Sequence, residues 1–163
     1  MSSRAAWRLE SLGFARVYCY GDGKLDWFAC GLPRAGKLTG FPTTGDAMHR
    51  DVPTCHLEDG VAEVRARTRG AGWNMCVVVN ERQVVLGVLR NDALDGDPAL
   101  TAEQAMEPGP TTFRPNEPLA ETAVQLVQAG VKRVLITTSD GELLGVLDRA
   151  EAVRRTGGAE PAT

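Results

Sequence analysis

Two stretches decide the fold: Cys76-Val77-Val78-Val79-Asn80-Glu81-Arg82-Gln83-Val84-Val85-Leu86-Gly87-Val88-Leu89 and, 58 residues further on, Val134-Leu135-Ile136-Thr137-Thr138-Ser139-Asp140-Gly141-Glu142-Leu143-Leu144-Gly145-Val146-Leu147. Each is an apolar, largely β-branched run, a polar break, and a second apolar run ending in Leu-Gly-Val-Leu, which is the pattern of a β-hairpin with a buried face. In the second stretch Ser139-Asp140-Gly141 supplies a tight-turn signal. Working outward, the same offset with no gap superposes Thr54 on Thr112, Ala62-Glu63 on Ala120-Glu121, and Ala71-Gly72 on Ala129-Gly130. Separate matches at one spacing mark an internal repeat.

Both copies read alike physically. Before the first hairpin, Val61, Val64 and Thr68 form one helical stripe that stops at Ala71-Gly72. Before the second, Asn116 is an N-cap candidate, Pro118 sits in the first turn, and Leu119, Ala123, Leu126 and Val127 follow at helical spacing up to Gly130. A short helix is expected after each hairpin, over 91–94 and from Arg149 to about Arg155. Each copy is therefore extended segment, helix, strand, strand, helix, and the fold class is α+β.

The openings Asp51-Val52-Pro53-Thr54 and Pro110-Thr111-Thr112-Phe113, the Ala-Gly helix stops and the two Gly-Val-Leu strand ends resemble the CBS motif over roughly 48–155. The resemblance implies a tandem CBS pair, or Bateman module: two β-α-β-β-α repeats with pseudo-twofold symmetry. It further implies a non-catalytic regulatory module that homodimerises and binds an adenosine-containing ligand (AMP, ADP, ATP or S-adenosylmethionine), with no cofactor required. The expected units are repeat one over 51–97 and repeat two over 98–155.

In ligand-binding members of that family the Gly-apolar-apolar strand end continues as Thr or Ser, two residues, then Asp. The Asp accepts hydrogen bonds from the ribose hydroxyls, and the hydroxyl side chain and nearby backbone N–H groups face the phosphates. Here Gly145-Val146-Leu147 continues as Asp148-Arg149-Ala150-Glu151, so Glu151 takes the ribose-carboxylate position and Asp148 takes that of the Thr. A carboxylate there repels phosphate. In copy one, Gly87-Val88-Leu89 continues as Arg90-Asn91-Asp92-Ala93, where Ala93 removes the ribose acid, Asp92 stands one position away from it, and Arg90 adds a phosphate-pairing guanidinium. Lys132 and Arg133 bring positive charge to the start of the copy-two strand.

The candidate site thus comprises Thr54, Gly87, Arg90, Thr112, Arg133, Gly145, Asp148 and Glu151. Each has a plainer reading: Asp148 and Glu151 as acids at a helix N-terminus, Arg90 and Arg133 as solvated surface charges, Thr54 and Thr112 as partners of local backbone, Gly87 and Gly145 as packing requirements. Those readings together describe the alternative, a degenerate pair serving as a structural or protein-interaction module.

Residues 1–35 read differently. Ala5, Ala6, Leu9 and Leu12 lie at helical spacing, Ala15 to Tyr20 reads as a strand, and Gly21-Asp22-Gly23 turns into a second helix bearing Trp27 and Phe28. The succession Leu12-Gly13-Phe14, Val17-Tyr18, Gly23-Lys24, Asp26-Trp27, Gly31-Leu32-Pro33 resembles the C-terminal end of rhodanese domains. The implied α-β-α fragment lacks that family's catalytic loop, and neither Cys19 nor Cys30 falls on such a loop, which leaves sulfurtransfer a remote alternative. Residues 36–50, rich in Gly, Thr and Pro, are expected to be a linker, and 156–163 a disordered tail.

Composition closes off other classes. The chain has 43% hydrophobic and 24% charged residues, so it is globular. Its net charge of −3 is spread evenly, against a nucleic-acid surface. No apolar run approaches the roughly 20 residues that span a bilayer. The expectation is a cytoplasmic protein with no nucleic-acid or membrane partner. Cys19, Cys30, Cys55 and Cys76 form no CxxC pair, and His49, Cys55 and His56 lack the paired spacing of a structural zinc site. No nucleophile, base and oxyanion-donor set is recognisable, so no enzymatic activity is expected.

Overall fold

The structure, a computed structural model, describes residues 2–18, 20, 23–33 and 40–157. Copy one contains β1 (Thr54–Cys55), α4 (Val61–Gly70), β2 (Cys76–Val79), β3 (Val85–Leu89) and α5 (Asn91–Leu94). It is preceded by α1 (Ser2–Ser11), α2 (Gly23–Ala29) and α3 (Thr44–Ala47). Copy two follows as α6 (Ala102–Ala105), β4 (Glu107–Pro108), β5 (Thr112–Phe113), α7 (Leu119–Gln128), β6 (Arg133–Thr137), β7 (Leu143–Asp148) and α8 (Arg149–Arg155). The mixed α+β character and both hairpins match the sequence reading.

The hairpin strands are apolar on both faces because both faces are covered. In copy one Cys76, Val78 and Leu89 face the helices with Val64, Leu94 and Ala102. The alternate residues Val77, Val79 and Val88 meet Leu135 and Val146 of copy two. In copy two Val134, Ile136 and Leu147 pack with Leu119, Ala123 and Leu126 of α7 and Ala152 and Val153 of α8. The two sheets thus press their inner faces together. One end of this layer is closed by backbone pairing across the copies: Val85 N–H donates to Gly141 O at 3.0 Å and Leu143 N–H to Gln83 O at 2.8 Å.

The segments ahead of each copy cross over. β4 runs antiparallel to β3 of copy one, with Val88 opposite Glu107 and Gly87 opposite Pro108. Its counterpart by the 58-residue offset, His49, pairs with Val146 of copy two through two backbone hydrogen bonds of 2.8 and 2.9 Å. Both crossing helices open with a capping box, Thr43 with Asp46 and Thr101 with Gln104. The expected linker therefore differs in its second half: Thr43, Thr44, Ala47 and Met48 are buried, the last two against copy two. Residues 34–39 of that stretch lie outside the described residues. Crossing also explains two glycines: a Cβ at Gly145 would run into the His49 carbonyl, whose carbon would be 3.1 Å away and its oxygen nearer still. A Cβ at Gly87 would meet Met106 Sδ at 2.5 Å and Glu107 O at 3.0 Å.

Two local expectations need correction. Helix α7 is capped by Pro118, not Asn116, because Thr43 bridges Pro118 and Leu119 N–H donates to Pro42 O at 3.0 Å, which holds the preceding residues extended. Residues 15–18 and 20 form no strand, since no described strand lies beside them to supply a hydrogen-bonding partner. The turn residues Gly21 and Asp22, together with Cys19 and 158–163 of the expected tail, lie outside the described residues. Helix α2 meets the repeats at its C-terminal end, where Ala29 is buried and Arg50 Nη2 donates to its carbonyl at 3.1 Å.

Candidate functional site

β2 and β6 begin, and β3 and β7 end, at the edge of the inter-sheet layer opposite the Gln83–Leu143 closure. Here the copies leave a cavity of about 620 Å³. Eight of its eleven lining residues come in pairs related by the repeat offset, Asn74 with Lys132, Met75 with Arg133, Arg90 with Asp148 and Asn91 with Arg149, and copy two alone adds Gly130, Val131 and Ala150. The cavity therefore sits on the pseudo-twofold axis. Four cationic side chains, Arg90, Lys132, Arg133 and Arg149, face it against one carboxylate, Asp148. A concave, partly enclosed space with that balance favours anions, since low-dielectric walls strengthen each charge.

Arg133 is held from three sides. Its Nε donates to Asp148 Oδ1 at 2.6 Å, its Nη1 bonds Asn74 Oδ1, and its guanidinium carbon lies 5.6 Å from the centre of the Trp73 ring. Asp148 also has His49 Nε2 at 3.7 Å, and the His49 and Trp73 rings meet edge to face at 6.2 Å. Across the axis Arg90 pairs with Glu107 at 3.1 Å, both well exposed.

The structure brings three of the eight expected residues, Arg90, Arg133 and Asp148, to this cavity. The other five do not line it. Gly87 and Gly145 stand in mid-strand under the crossing segments, where packing accounts for them. Thr54 and Thr112 lie on edge strands β1 and β5, and the Thr54 carbonyl accepts from Arg67 at 3.1 Å. Glu151 is engaged by its own helix: Oε2 accepts from Arg154 Nε at 3.0 Å, and Oε1 pairs with Arg155. Arg154 first and Arg155 second hold its carboxyl below the ordinary glutamate value. Arg155 Nη1 also reaches the Asp46 carbonyl at 2.8 Å, tying α8 to α3.

Among the lining residues, Asn74, Asn91 and Arg149 carried no signal as single letters. Taking offset-related pairs at the two strand ends would have found them. Among the described residues two cysteines are buried and one is exposed. Cys55 and Cys76 are buried on adjacent strands, and the Cys76 sulfur together with burial pushes the Cys55 thiol far above its ordinary range. Cys30 is exposed at the end of α2, with Sγ 3.9 Å from Asp26 Oδ2. Among the described residues no group of His, Cys, Asp and Glu is placed to hold a metal, and no helix is long and apolar enough to cross a membrane.

Fold and cavity together define a class: two intertwined α+β repeats enclosing a cationic cleft on their axis. Known proteins place it more closely. Residues 102–157 match the family model described as CBS domain. The match opens on α6, the helix that crosses to copy one. No curated protein sequence is similar. Among solved structures, the cytosolic domain of the Mg2+ channel MgtE in complex with ATP is 20% identical with a TM-score of 0.64, over 72% of this chain and 51% of that one. This chain thus spans about half the length of that relative. CBSX2 in complex with AMP is 19% identical with a TM-score of 0.63, over 71% and 96% of the two chains; its structure is also known as the CBS-pair protein from Arabidopsis thaliana. The CBS domain pair of MJ0100, in complex with 5′-methylthioadenosine and S-adenosyl-L-methionine, is 16% identical with a TM-score of 0.62, over 72% and 97%. The fold is that of CBS pairs.

Proposed function

We propose that the chain is a non-catalytic regulatory CBS pair that binds an anionic adenosine compound, its phosphates directed into the axial cavity. The observation that carries this is the convergence of Arg90, Lys132, Arg133 and Arg149 on one partly enclosed space, where they outnumber the carboxylates of Asp148 in its lining and Glu107 beside Arg90. Three solved structures of this fold are complexes with ATP, with AMP, and with 5′-methylthioadenosine and S-adenosyl-L-methionine. Dimerisation through the helices and a cytoplasmic location belong to the same proposal, as do the division into two copies and the reading of 1–35 as a rhodanese-type remnant without activity.

A second reading has its own support. Glu151 already spends both oxygens on Arg154 and Arg155, and copy one has Ala93 at the equivalent position, so neither copy offers an unengaged carboxylate at that position. On that reading the pair is an interaction module without ligand. Thermal melts with AMP, ADP, ATP and S-adenosylmethionine, with and without magnesium, separate the two. A ligand at a hundred times its dissociation constant stabilises the fold by about 2.7 kcal/mol, and Arg90→Ala with Lys132→Ala should abolish most of that shift. No shift with any compound at millimolar concentration would favour the interaction module.

A further inference from the structure

Where the crossing segments meet the cavity, offset-related positions carry opposite polarity. In copy one the end of β3 supplies the cation, Arg90, and the crossing strand supplies the acid, Glu107, at 3.1 Å. In copy two the end of β7 supplies the acid, Asp148, and the crossing segment supplies His49, at 3.7 Å. The first pair joins a guanidinium to a carboxylate. The second is an ion pair only when the imidazole is protonated, and histidine is the side chain that ordinarily changes charge between about pH 5 and 8.

Asp148 is also the carboxylate that occupies Arg133, through the 2.6 Å bond to Nε. Its two oxygens are divided between the partners: Oδ1 toward Arg133 and Oδ2 toward His49. His49 is fixed in place by its backbone pairing with Val146 and by the edge-to-face contact with Trp73. The charged groups around it are Asp148 from β7, Arg133 from β6 through that shared carboxylate, and Arg50 and Asp51 on its own segment, with Arg50 turned to the Ala29 carbonyl. Lys132 and Arg149 line the same cavity beside Asp148.

We propose that His49 makes anion capture in the axial cavity proton-coupled. As imidazolium it takes up the Asp148 carboxylate, and the Arg133 guanidinium turns to the entering oxyanion; as neutral imidazole it leaves Asp148 on Arg133, and the carboxylate repels the anion. His49 is here a positioning residue, acting through Asp148. The inference rests on reading the cavity as an anion site and needs nothing from the adenosine end of a ligand.

Sulfate is the probe, because it stays a dianion across the range. Its binding to the full chain is measured by calorimetry near pH 5.5 and pH 8, at ionic strength matched with sodium chloride. The wild type should bind at least about fivefold more tightly at the lower pH, a coupling at the modest end of what linked sites show. His49→Gln should bind weakly at both. His56→Gln, which removes the other of the chain's two histidines, should keep the pH dependence. Asp148→Asn should bind at the higher pH as tightly as the wild type does at the lower, with little pH dependence left. Wild-type binding that ignores pH, a pH dependence that survives His49→Gln, or no sulfate binding at either pH would overturn the proposal. Sulfate behaving as stated while AMP fails to bind would instead sink the adenosine reading and leave this one standing.

Discussion

Copy one and copy two share a backbone and differ in what fills it. At matched positions α7 carries Leu119, Ala123 and Leu126 where α4 carries Val61, Arg65 and Thr68. Copy one thereby buries polar atoms in its helix, Arg65 Nε and Thr68 Oγ1, the latter beside the Cys76 thiol. The CBS family model matches copy two, over 102–157. The difference teaches that strand register and the close approaches at Gly87 and Gly145, rather than helix composition, keep the two halves superposable.

The matched pair Leu126 and Thr68 tests this most strongly. Leu126→Ala, at 2% exposure in the copy-two core, should cost about 3 kcal/mol, whereas Thr68→Val, which replaces a buried hydroxyl beside the Cys76 thiol, should change stability by no more than about 1 kcal/mol. Urea denaturation of both variants reads the contrast, and a larger loss from Thr68→Val would show that copy one relies on that hydroxyl. The glycines sharpen the comparison at the crossing points. Gly145→Ala meets rigid backbone and should cost about 2–3 kcal/mol, while Gly87→Ala meets first the flexible end of Met106 and should cost about 1 kcal/mol. Equal costs would mean that the two crossings are equally tight.

The smallest effect concerns Glu151. Its folded-state carboxyl lies below the ordinary value because of Arg154 and Arg155. A depressed carboxyl stabilises the fold above the unfolded value, about 4.3 for glutamate, and loses that contribution as pH falls through the folded value. Glu151→Gln should therefore melt slightly lower than the wild type at neutral pH, with the gap closing below about pH 4. A gap that persists in acid would show that the arginines hold the helix by packing instead of charge.

Much of the fold was legible because its signals are local. The hairpins, the Gly72 and Gly130 stops with φ of 78° and 65°, and the helices at 91–94 and 149–155 all follow from short-range pattern. The crossing of Thr43–His49 was not, because its partners at Pro118 and Val146 are remote in sequence and its Gly-Thr-Pro content resembles a connector. A signal was present even so: Ala47-Met48 and Ala105-Met106 obey the same 58-residue offset. For the site, strand ends pointed to Arg90, Arg133 and Asp148. The engagement of Glu151 was hidden because it depends on which rotamers Arg154 and Arg155 adopt, and the cavity because each copy supplies only half of it.

The crossing segments also set the order of events during synthesis. A sheet that receives its outer strand from the other repeat cannot be finished when its own residues have left the ribosome. Copy one's sheet waits for Glu107 and Pro108, and the chain around His49 waits for Val146. Contacts of such long sequence separation slow folding through their loop-closure cost. The nascent chain must therefore carry an exposed Thr44–Met48 face until nearly all of the second repeat has emerged, and both halves should then lock in one concerted step.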